Sequence, residues 1–461
     1  MIPVAIIEIL KSIVGEGWVL TDEADLATYA FDGFCMEFTP DAVVLPQNTA
    51  EVSAILRIAN REKINIVPRG AGTNLSGTSV ARRGGMVMPL SRMDRILEID
   101  GPNRCAVVQP GVVNADLQKA LEPYGLMYGP DPSSWYVSTI GGNISLNAAG
   151  PRALKYGSSR EHLLGLEVVK ADGTVIKIGS KTSKNAAGYD LPHLFCGAEG
   201  TLGIITEATV RIIPVPEAER TIQAVYANLD DACATVSKII AAGITPSAMD
   251  LLDQTLIDLI QGYGGVEFPE GATAFLLIET DGHPATVKDE VGKIVNICNA
   301  YNAIDIQVAR TPEENEIVWR ARRSIGGVFS KVCKTMINED ATVPVASLPA
   351  IMKTVLKLRD KHKLNVGIMA HAGDGNLHPA IMTDASNKEE MQRVDEFAED
   401  LYRETLKLGG SLSGEHGIGL AKKQFVSMQF TNEALLMMRQ IKELFDPNNI
   451  LNPGGYIDET T

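Results

Sequence analysis

The sequence is short of basic residues. Its 461 residues include 42 Lys and Arg against 57 Asp and Glu, which gives a formal net charge of -15 at pH 7. Binding to a phosphate backbone requires clustered Lys and Arg side chains that displace counterions. The charge balance therefore excludes nucleic acid as a partner.

A long apolar run is also missing. No uninterrupted stretch of about 18 apolar residues occurs, so no segment is predicted to span a bilayer. The N-terminal run MIPVAIIEILKSIVG is apolar at helical spacing but contains Glu8 and Lys11. Because it has neither the basic start nor the small-residue cleavage site of a signal peptide, we interpret it as an amphipathic packing helix.

Paired cysteines are absent as well. The six cysteines are far apart and form no C-x-x-C motif: Cys35, Cys105, Cys196, Cys233, Cys298 and Cys333. This spacing argues against an iron–sulfur cluster or a disulfide framework within the chain. It predicts reduced thiols in a cytoplasmic protein, and it requires any iron–sulfur relay to lie on another polypeptide.

The chain is long enough for two or three domains. The runs DAVVLP, TAEVSAILRIANRE and INIVPRGAG predict a strand, a helix and a strand, and LLGLEVVKADGTVIKIG predicts a hairpin around Asp172 and Gly173. Pro214 and Pro216 end a further strand and indicate a boundary near residue 217. Beyond it, strands alternate with amphipathic helices, and the last helix ends at Asp446.

Glycine-rich loops follow the predicted strands of the first part, although neither G-x-x-x-x-G-K-[ST] nor a G-x-G-x-x-G that opens a long helix occurs. In PRGAGTNLSGT, small residues allow successive backbone N–H groups to point into one concavity, as a pyrophosphate requires. One such loop is weak evidence. Two more, STIGGNISLNAAG and GAEGTLGIIT, exceed the needs of turns and predict an extended nucleotide cofactor.

Three of the seven histidines lie in AHAGDGNLHP and SGEHGIG. His371 and His378 flank a Gly-Asp-Gly turn and can converge on one cation, with Glu415 as an oxygen ligand, which leaves His416 for proton transfer. Two imidazoles and a carboxylate suit Zn, Fe(II) or Mn. The alternative is a pair of turns whose histidines only bind backbone, but three histidines beside an acid favour the metal site.

Two further features have open interpretations. Asp374 and Asn376 either orient the metal ligands or only shape the turn. Arg320, Arg322 and Arg323 lie in a segment of helical propensity and form either a solvated basic face or the cation for a substrate carboxylate.

The loops PRGAGTN, TIGGN and EGTLGIIT resemble those of FAD-binding oxidoreductases of the vanillyl-alcohol oxidase type. With HAGDGNLHP, SGEHGIG and FDPNNILNPGG, the chain is similar to the branch that contains the glycolate oxidase flavin subunit, D-lactate dehydrogenase and D-2-hydroxyglutarate dehydrogenase. The resemblance implies an α+β fold. It consists of a two-subdomain FAD-binding domain at 1–217, a ferredoxin-like cap with an antiparallel sheet and the metal site at 218–425, and a C-terminal segment at 426–461 that returns to the FAD domain.

The resemblance also implies cofactor-binding residues. Those expected to hold the pyrophosphate are Arg69, Gly70, Ala71, Gly72, Thr73, Asn74 and Ser76. Those expected to line the rest of the cofactor are Gly141, Gly142, Glu199, Gly200, Gly203, Ile205 and Asn452. Some relatives attach FAD through a histidine in the first loop, and RGAGTN has none, so we predict non-covalent FAD.

The implied reaction is oxidation of a 2-hydroxy acid to the 2-oxo acid by hydride transfer to flavin N5. The cation would hold the hydroxyl and carboxylate oxygens, His416 would take the hydroxyl proton, and Arg322 would bind the carboxylate. Pro379 and Ala380 stand where the 2-hydroxyglutarate enzymes carry an amide. A short D-acid, D-lactate or glycolate, is therefore expected.

Electrons are expected to pass to a partner protein, either an electron-transferring flavoprotein or an iron–sulfur subunit, and any attachment to a membrane would be made through that partner. Three alternatives remain: a subunit of an electron-bifurcating lactate dehydrogenase, a non-catalytic flavin relay subunit, and a metal-dependent hydrolase. The metal and base residues disfavour a relay, and the three nucleotide loops disfavour a hydrolase.

Overall fold

The computed structural model describes residues 2–34 and 36–455, without the side chains of Pro312, Glu316, Ala321 and Arg323. Cys35 lies outside the described residues. The chain forms two compact units. Unit 1 comprises Met1–Gly150, Gly157–Val215 and Glu415–Thr461, and unit 2 comprises Pro151–Tyr156 and Pro216–Gly414.

Unit 1 contains two main sheets, and elements are numbered in order along the whole chain. The first sheet has the order β1-β2-β4-β3, from Val19–Leu20 (β1), Ala42–Val44 (β2), Ile66–Arg69 (β3) and Met86–Pro89 (β4). The second has the order β5-β6-β10-β8-β9, from Ile96–Asp100 (β5), Cys105–Val108 (β6), Leu163–Val169 (β8), Val175–Gly179 (β9) and Ile204–Arg211 (β10). Two short strands, Leu126–Met127 (β7) and Ile213–Pro214 (β11), pair separately.

The helices of unit 1 are Val4–Val14 (α1), Glu23–Ala27 (α2), Thr49–Glu62 (α3), Asn114–Leu121 (α4), Ile140–Leu146 (α5), Ser159–His162 (α7), Leu191–Phe195 (α8), Val426–Gln429 (α15) and Asn432–Phe445 (α16). The predicted succession of strand, helix and strand corresponds to β2, α3 and β3. In α3, Val52, Ile55, Leu56 and Ala59 are buried at helical spacing. They pack into the core beneath the first sheet.

Unit 2 is built on one sheet in which every pairing is antiparallel. Its strands are Ala218–Tyr226 (β12), Ala248–Asp253 (β13), Ala274–Gly282 (β14), Ala303–Val308 (β15), Thr335–Asn338 (β16), Ala341–Thr342 (β17), Asn365–His371 (β18) and Asn376–Thr383 (β19). The order is β15-β12-β14-β13-β18-β19-β16, and β17 also pairs with β19. This is the antiparallel sheet predicted for the cap.

The helices of unit 2 are Ala153–Tyr156 (α6), Leu229–Ala241 (α9), Gln254–Leu259 (α10), Pro284–Ala300 (α11), Pro312–Val332 (α12), Leu348–His362 (α13) and Lys388–Lys407 (α14). The short α6 joins this unit because Lys155 and Tyr156 both bind the buried Asp281 carboxylate. No helix within the described ranges is long and apolar enough to cross a membrane.

The unit boundaries differ from the predicted domain limits at three places. Residues 151–156 and 216–217 belong to unit 2, and residues 415–425, predicted as part of the cap, group with unit 1. The last difference has a local cause, because Glu199 of unit 1 accepts hydrogen bonds from the backbone of Ile418 and Gly419.

Candidate functional site

The first glycine-rich loop follows β3 in unit 1. The side chain of Asn74 forms hydrogen bonds with other residues of this loop. The Asn74 Oδ1 atom accepts hydrogen bonds from the amides of Ser76, at 3.3 Å, and Thr78, at 3.1 Å. Its Nδ2 atom donates to the Ser79 hydroxyl at 2.7 Å. Asn74 therefore holds the loop in its curved conformation.

Arg69 braces the same loop. Its Nη1 atom donates to the Ser79 carbonyl oxygen at 3.1 Å, and burial lowers the pKa of its guanidinium although Asp32 opposes that shift. A Cβ atom at Gly72 would collide with this guanidinium, and Gly72 has a φ of 73°. Gly72 is thus required both for its backbone conformation and for the space that Arg69 occupies.

The second loop leads into α5. The Thr139 hydroxyl accepts a hydrogen bond from the Gly142 amide at 3.3 Å. A Cβ atom at Gly70 would collide with that hydroxyl, and one at Gly141 would collide with Pro110. The glycines of the first two loops therefore allow these backbones to approach closely.

The third loop begins at Glu199 and Gly200, whose φ values are 54° and 71°. The buried Glu199 carboxylate accepts the amide of Ile418 at 2.7 Å and that of Gly419 at 3.0 Å. Burial raises the pKa of Glu199 to about 7, although these amides lower it. Further on, Ile205 packs in the core of the second sheet, so its side chain serves the fold.

The C-terminal segment, from α16 to Asn452, forms hydrogen bonds with these loops. The Asn452 Nδ2 atom donates to the carbonyl oxygens of Thr78, at 2.8 Å, and Glu199, at 2.7 Å, and so links the first loop to the third. Lys442 is buried and donates to the carbonyl oxygens of Thr201 and Leu451, both at 2.8 Å. Within unit 1, this segment therefore contacts the first and third loops.

Three buried polar atoms at these loops have no hydrogen-bond partner among the described residues: Ser76 Oγ, Ser138 Oγ and Asn143 Nδ2. A buried polar group without a partner costs roughly 1–3 kcal/mol. Their position in the first two loops, together with close backbone approach at Gly70, fits loops that receive an extended polar cofactor.

In unit 2, the sheet brings His371 and His378 together. His371 ends β18 and His378 lies on β19, and both side chains are almost completely buried. Their ring centroids are 5.2 Å apart with an interplanar angle of 81°, and a nitrogen of each ring lies within 4.8 Å of the other. The two imidazoles are therefore neighbours, and a cation shared between them stays a prediction.

Asp250 orients His371. It lies directly opposite His371 in the register of β13 and β18. Its Oδ1 atom is 2.7 Å from His371 Nδ1, and its Oδ2 atom is 2.5 Å from Arg322 Nε. Burial by itself raises the pKa of the Asp250 carboxyl. The neighbouring His371 and Arg322 lower that pKa by a larger amount, so it lies well below its usual range. An imidazole that donates through Nδ1 presents Nε2 as an acceptor, which suits a metal ligand.

A second buried carboxylate, Asp340, lies within 4.8 Å of a His378 nitrogen. It accepts hydrogen bonds from Asn376 Nδ2 at 2.7 Å, the Ser413 hydroxyl at 2.5 Å and the Gly414 amide at 3.1 Å. Asn376 therefore orients the Asp340 carboxylate. Asp340 in turn binds the backbone amide of Gly414, the last residue of unit 2.

The chain leaves unit 2 between Gly414 and Glu415. Glu415 and His416 thus belong to unit 1, where the His416 Nε2 and Glu415 Oε1 atoms are 3.7 Å apart. The combination of Glu415 with the two histidines of unit 2 stays a prediction.

The sequence analysis missed Asp250 and Asp340. A signal for the first exists, because the run AMDLLD forms a wholly buried strand that includes two acids, Asp250 and Asp253. A buried acid requires a partner. No comparable signal distinguishes Asp340 from its neighbour Glu339.

Family models match most of the chain. Residues 40–179 match the model described as "FAD binding domain", and residues 215–456 match "FAD linked oxidases, C-terminal domain". The chain is 46% identical over 415 residues to the glycolate oxidase subunit GlcD of Bacillus subtilis, covering 90% of this chain and 88% of that protein. It is 34% identical over 425 residues to a D-lactate dehydrogenase of Anaerostipes hadrus, covering 90% and 89%.

Solved structures show the same fold. The structure of p-cresol methylhydroxylase aligns with a TM-score of 0.82 at 18% identity, covering 98% of this chain and 96% of that one. A 4-ethylphenol oxidase from Gulosibacter chungangensis aligns with a TM-score of 0.79 at 19% identity, with the same coverage. The fold class predicted from the sequence is confirmed.

Proposed function

Because this chain belongs to the FAD-linked oxidases and is an oxidoreductase related to glycolate oxidase subunits and D-lactate dehydrogenases, we propose that it oxidises a short D-2-hydroxy acid. The substrate is D-lactate or glycolate, and the product is the corresponding 2-oxo acid. FAD supplies the hydride acceptor when bound. The single observation that carries the proposal is the buried pair His371 and His378, with His371 oriented by Asp250.

The three loops of unit 1 would hold FAD without a covalent bond. Ser76 and Asn143 offer buried polar atoms to it, and the glycines allow the backbone to come close. Arg69, Asn74, Glu199 and Asn452 shape and connect the loops through their hydrogen bonds.

We propose His371, His378 and Glu415 as the ligands of a divalent cation, Zn, Fe or Mn. Asp340 binds both the Gly414 amide and Asn376, which lies opposite His371 in the sheet register. Glu415 follows Gly414, so its Cα atom lies only about 3.8 Å further along the chain. When bound, such a cation attracts the hydroxyl and carboxylate oxygens of the acid and lowers the hydroxyl pKa.

Two side chains complete the proposed chemistry. His416 accepts the hydroxyl proton, for which an imidazole is suited near neutral pH. Arg322 binds the substrate carboxylate while Asp250 fixes its Nε edge. Pro379 and Ala380 have no side-chain amide that could bind a second substrate carboxylate, which favours a short acid over a dicarboxylate.

The test is anaerobic flavin reduction by a panel of D- and L-2-hydroxy acids, with and without a chelator. We expect D-lactate or glycolate to bleach the flavin, and chelation to abolish bleaching. His416→Asn should reduce the bleaching rate by roughly 10²–10⁴-fold. His283→Asn, at the exposed N-cap of α11, is the control and should behave as wild type.

Reduction that continues unchanged after chelation would refute the metal, and wild-type rates in His416→Asn would refute the base. A chain that binds FAD but is bleached by no hydroxy acid would support the relay alternative.

We further propose that the electrons leave to a protein partner in the cytoplasm. The name of the Bacillus subtilis relative includes the word "subunit", and this chain has no C-x-x-C motif for a relay of its own. The partner is an electron-transferring flavoprotein or an iron–sulfur subunit, and a bifurcating complex with the former is the second candidate.

A further inference from the structure

Two side chains with separate proposed tasks meet at one buried carboxylate in unit 2. Asp250 contacts the Nδ1 atom of His371 through one oxygen and the Nε atom of Arg322 through the other, at 2.7 Å and 2.5 Å. The Asp250 side chain is completely buried, and that of Arg322 is 13% exposed. The three residues come from β13, β18 and α12, so the sheet and a covering helix converge at this point.

The contrast with Asp253 shows that this arrangement is more than support for the strand. Asp253 is also buried and lies three residues further along β13. Its Oδ1 atom accepts hydrogen bonds from the backbone amides of Leu256 at 3.1 Å and Ile368 at 3.0 Å. Its one side-chain hydrogen bond among the described residues is with the neighbouring Thr255 in α10. Asp253 therefore caps α10 and binds the backbone of β18. In contrast, both carboxylate oxygens of Asp250 contact side chains that have proposed roles in the site, those of His371 and Arg322.

We propose that Asp250 is a positioning residue that couples cation binding at His371 to binding of the substrate carboxylate at Arg322. Its Oδ1 atom keeps the proton of His371 on Nδ1 and so directs Nε2 toward the cation. Its Oδ2 atom holds the Nε edge of Arg322, which leaves the terminal edge of the guanidinium to face an anion. The inference rests on the proposed function for the roles of His371 and Arg322.

A single carboxylate with two such partners has a specific consequence. Removal of its charge releases the ring of His371 and the guanidinium of Arg322 together. Loss of a carboxylate that orients a metal-binding histidine typically weakens metal affinity by about 10–100-fold. In this protein the same change should also raise the KM for the acid, whereas a change at Arg322 alone should raise KM and spare the cation.

The test compares Asp250→Asn with Asp253→Asn in the full-length, FAD-loaded protein. Asparagine keeps the shape of either side chain, and it retains capping at position 253. After dialysis against a chelator, titration with Zn²⁺ alone measures cation affinity, and steady-state assays measure kcat and KM for D-lactate. Asp250→Asn should lose about 10–100-fold in Zn²⁺ affinity and gain in KM, and Asp253→Asn should keep both values. Arg322→Lys should raise KM at unchanged Zn²⁺ affinity.

A second readout needs neither turnover nor metal. In protein labelled with ¹⁵N-histidine and free of metal, His371 should show a protonated Nδ1 and an unprotonated Nε2, and Asp250→Asn should shift its population toward the Nε2-protonated form. The His371→Asn spectrum assigns the signal.

The outcomes separate this inference from the proposed function. If wild type binds Zn²⁺ and Asp250→Asn binds it equally well, or if His371 carries its proton on Nε2, the role of Asp250 is overturned and the metal site stands. If wild type binds no Zn²⁺ but shows the expected tautomer that depends on Asp250, the metal of the proposed function is overturned while the positioning of His371 by Asp250 is retained.

Discussion

Glu199 is the residue whose ionisation most directly concerns the cofactor loops. Its carboxylate is buried and accepts the amides of Ile418 and Gly419, so it holds the turn that follows His416. Burial raises its pKa to about 7, from the 4.5 that is usual for a glutamate side chain. In the folded protein the neutral form is therefore favoured over a range of pH in which the unfolded chain is ionised.

This shift predicts a pH-dependent stability that Glu199→Gln should remove. With a raised folded pKa, the stabilising contribution of protonation is complete below a pH of about 4.5 and is lost as the pH rises through about 7. The wild type should thus lose on the order of 3 kcal/mol relative to the variant across this range. Thermal unfolding of both FAD-saturated proteins between these pH values measures it. Parallel pH profiles would contradict the prediction.

At the scale of elements, the segment after α16 acts as a fastening for the loops of unit 1. Asn452 joins the first and third loops through the carbonyl oxygens of Thr78 and Glu199. Leu451 forms a bridge with Ile66 of β3, directly before the first loop. The geometry of the first loop therefore depends on a residue more than 370 positions away in the chain, and that of the third loop on the same residue 253 positions away.

Asn452→Gly should weaken FAD binding by roughly tenfold, because less ordered loops should lower the free energy of FAD binding by about 1.4 kcal/mol. Glycine keeps the left-handed backbone that Asn452 adopts at a φ of 43°, so the side-chain hydrogen bonds are the main loss. The flavin-to-protein absorbance ratio after gel filtration measures retention. Asn449→Gly is the matched control, because Asn449 has a φ of 50° and an exposed side chain. Equal retention in both variants would argue against the fastening.

At the scale of the whole molecule, charge and composition bear on where the electrons go. The chain has a net charge of -15 and no C-x-x-C motif, and no helix in the part of the chain that is described could cross a membrane. Its relatives include proteins named as oxidase subunits and as dehydrogenases. The word "subunit" in the name of the Bacillus subtilis relative is what supports the proposed protein acceptor.

We therefore expect turnover of D-lactate with an artificial redox dye to be much faster than turnover with oxygen. The measurement is dye reduction under nitrogen against oxygen consumption by the same preparation. Hydrogen peroxide formed at the rate of dye reduction would identify an oxidase and contradict the prediction. If dye reduction is the faster reaction, copurification from the native host distinguishes an electron-transferring flavoprotein from an iron–sulfur subunit as the partner.

Sequence alone determined the features that depend on neighbours in the chain. The hairpin at Asp172 and Gly173 forms between β8 and β9, and α16 ends at Phe445 with Asp446 as its C-cap, where the sequence predicts the helix to stop. The glycine loops and the pairing of His371 with His378 were also accessible, because a turn of four residues joins β18 to β19. Such features follow from local backbone preferences and short loop closure.

Only the tertiary structure decided which distant groups meet. Asp250 reaches His371 across 121 residues and Arg322 across 72, and Glu199 reaches Ile418 across 219. These contacts follow from the order of strands in a sheet and from the path of the C-terminal segment, neither of which leaves a periodic pattern in the sequence. The physical reason is that a buried charge is satisfied by whichever partner the packed fold brings to it, and that partner need not be near in the chain.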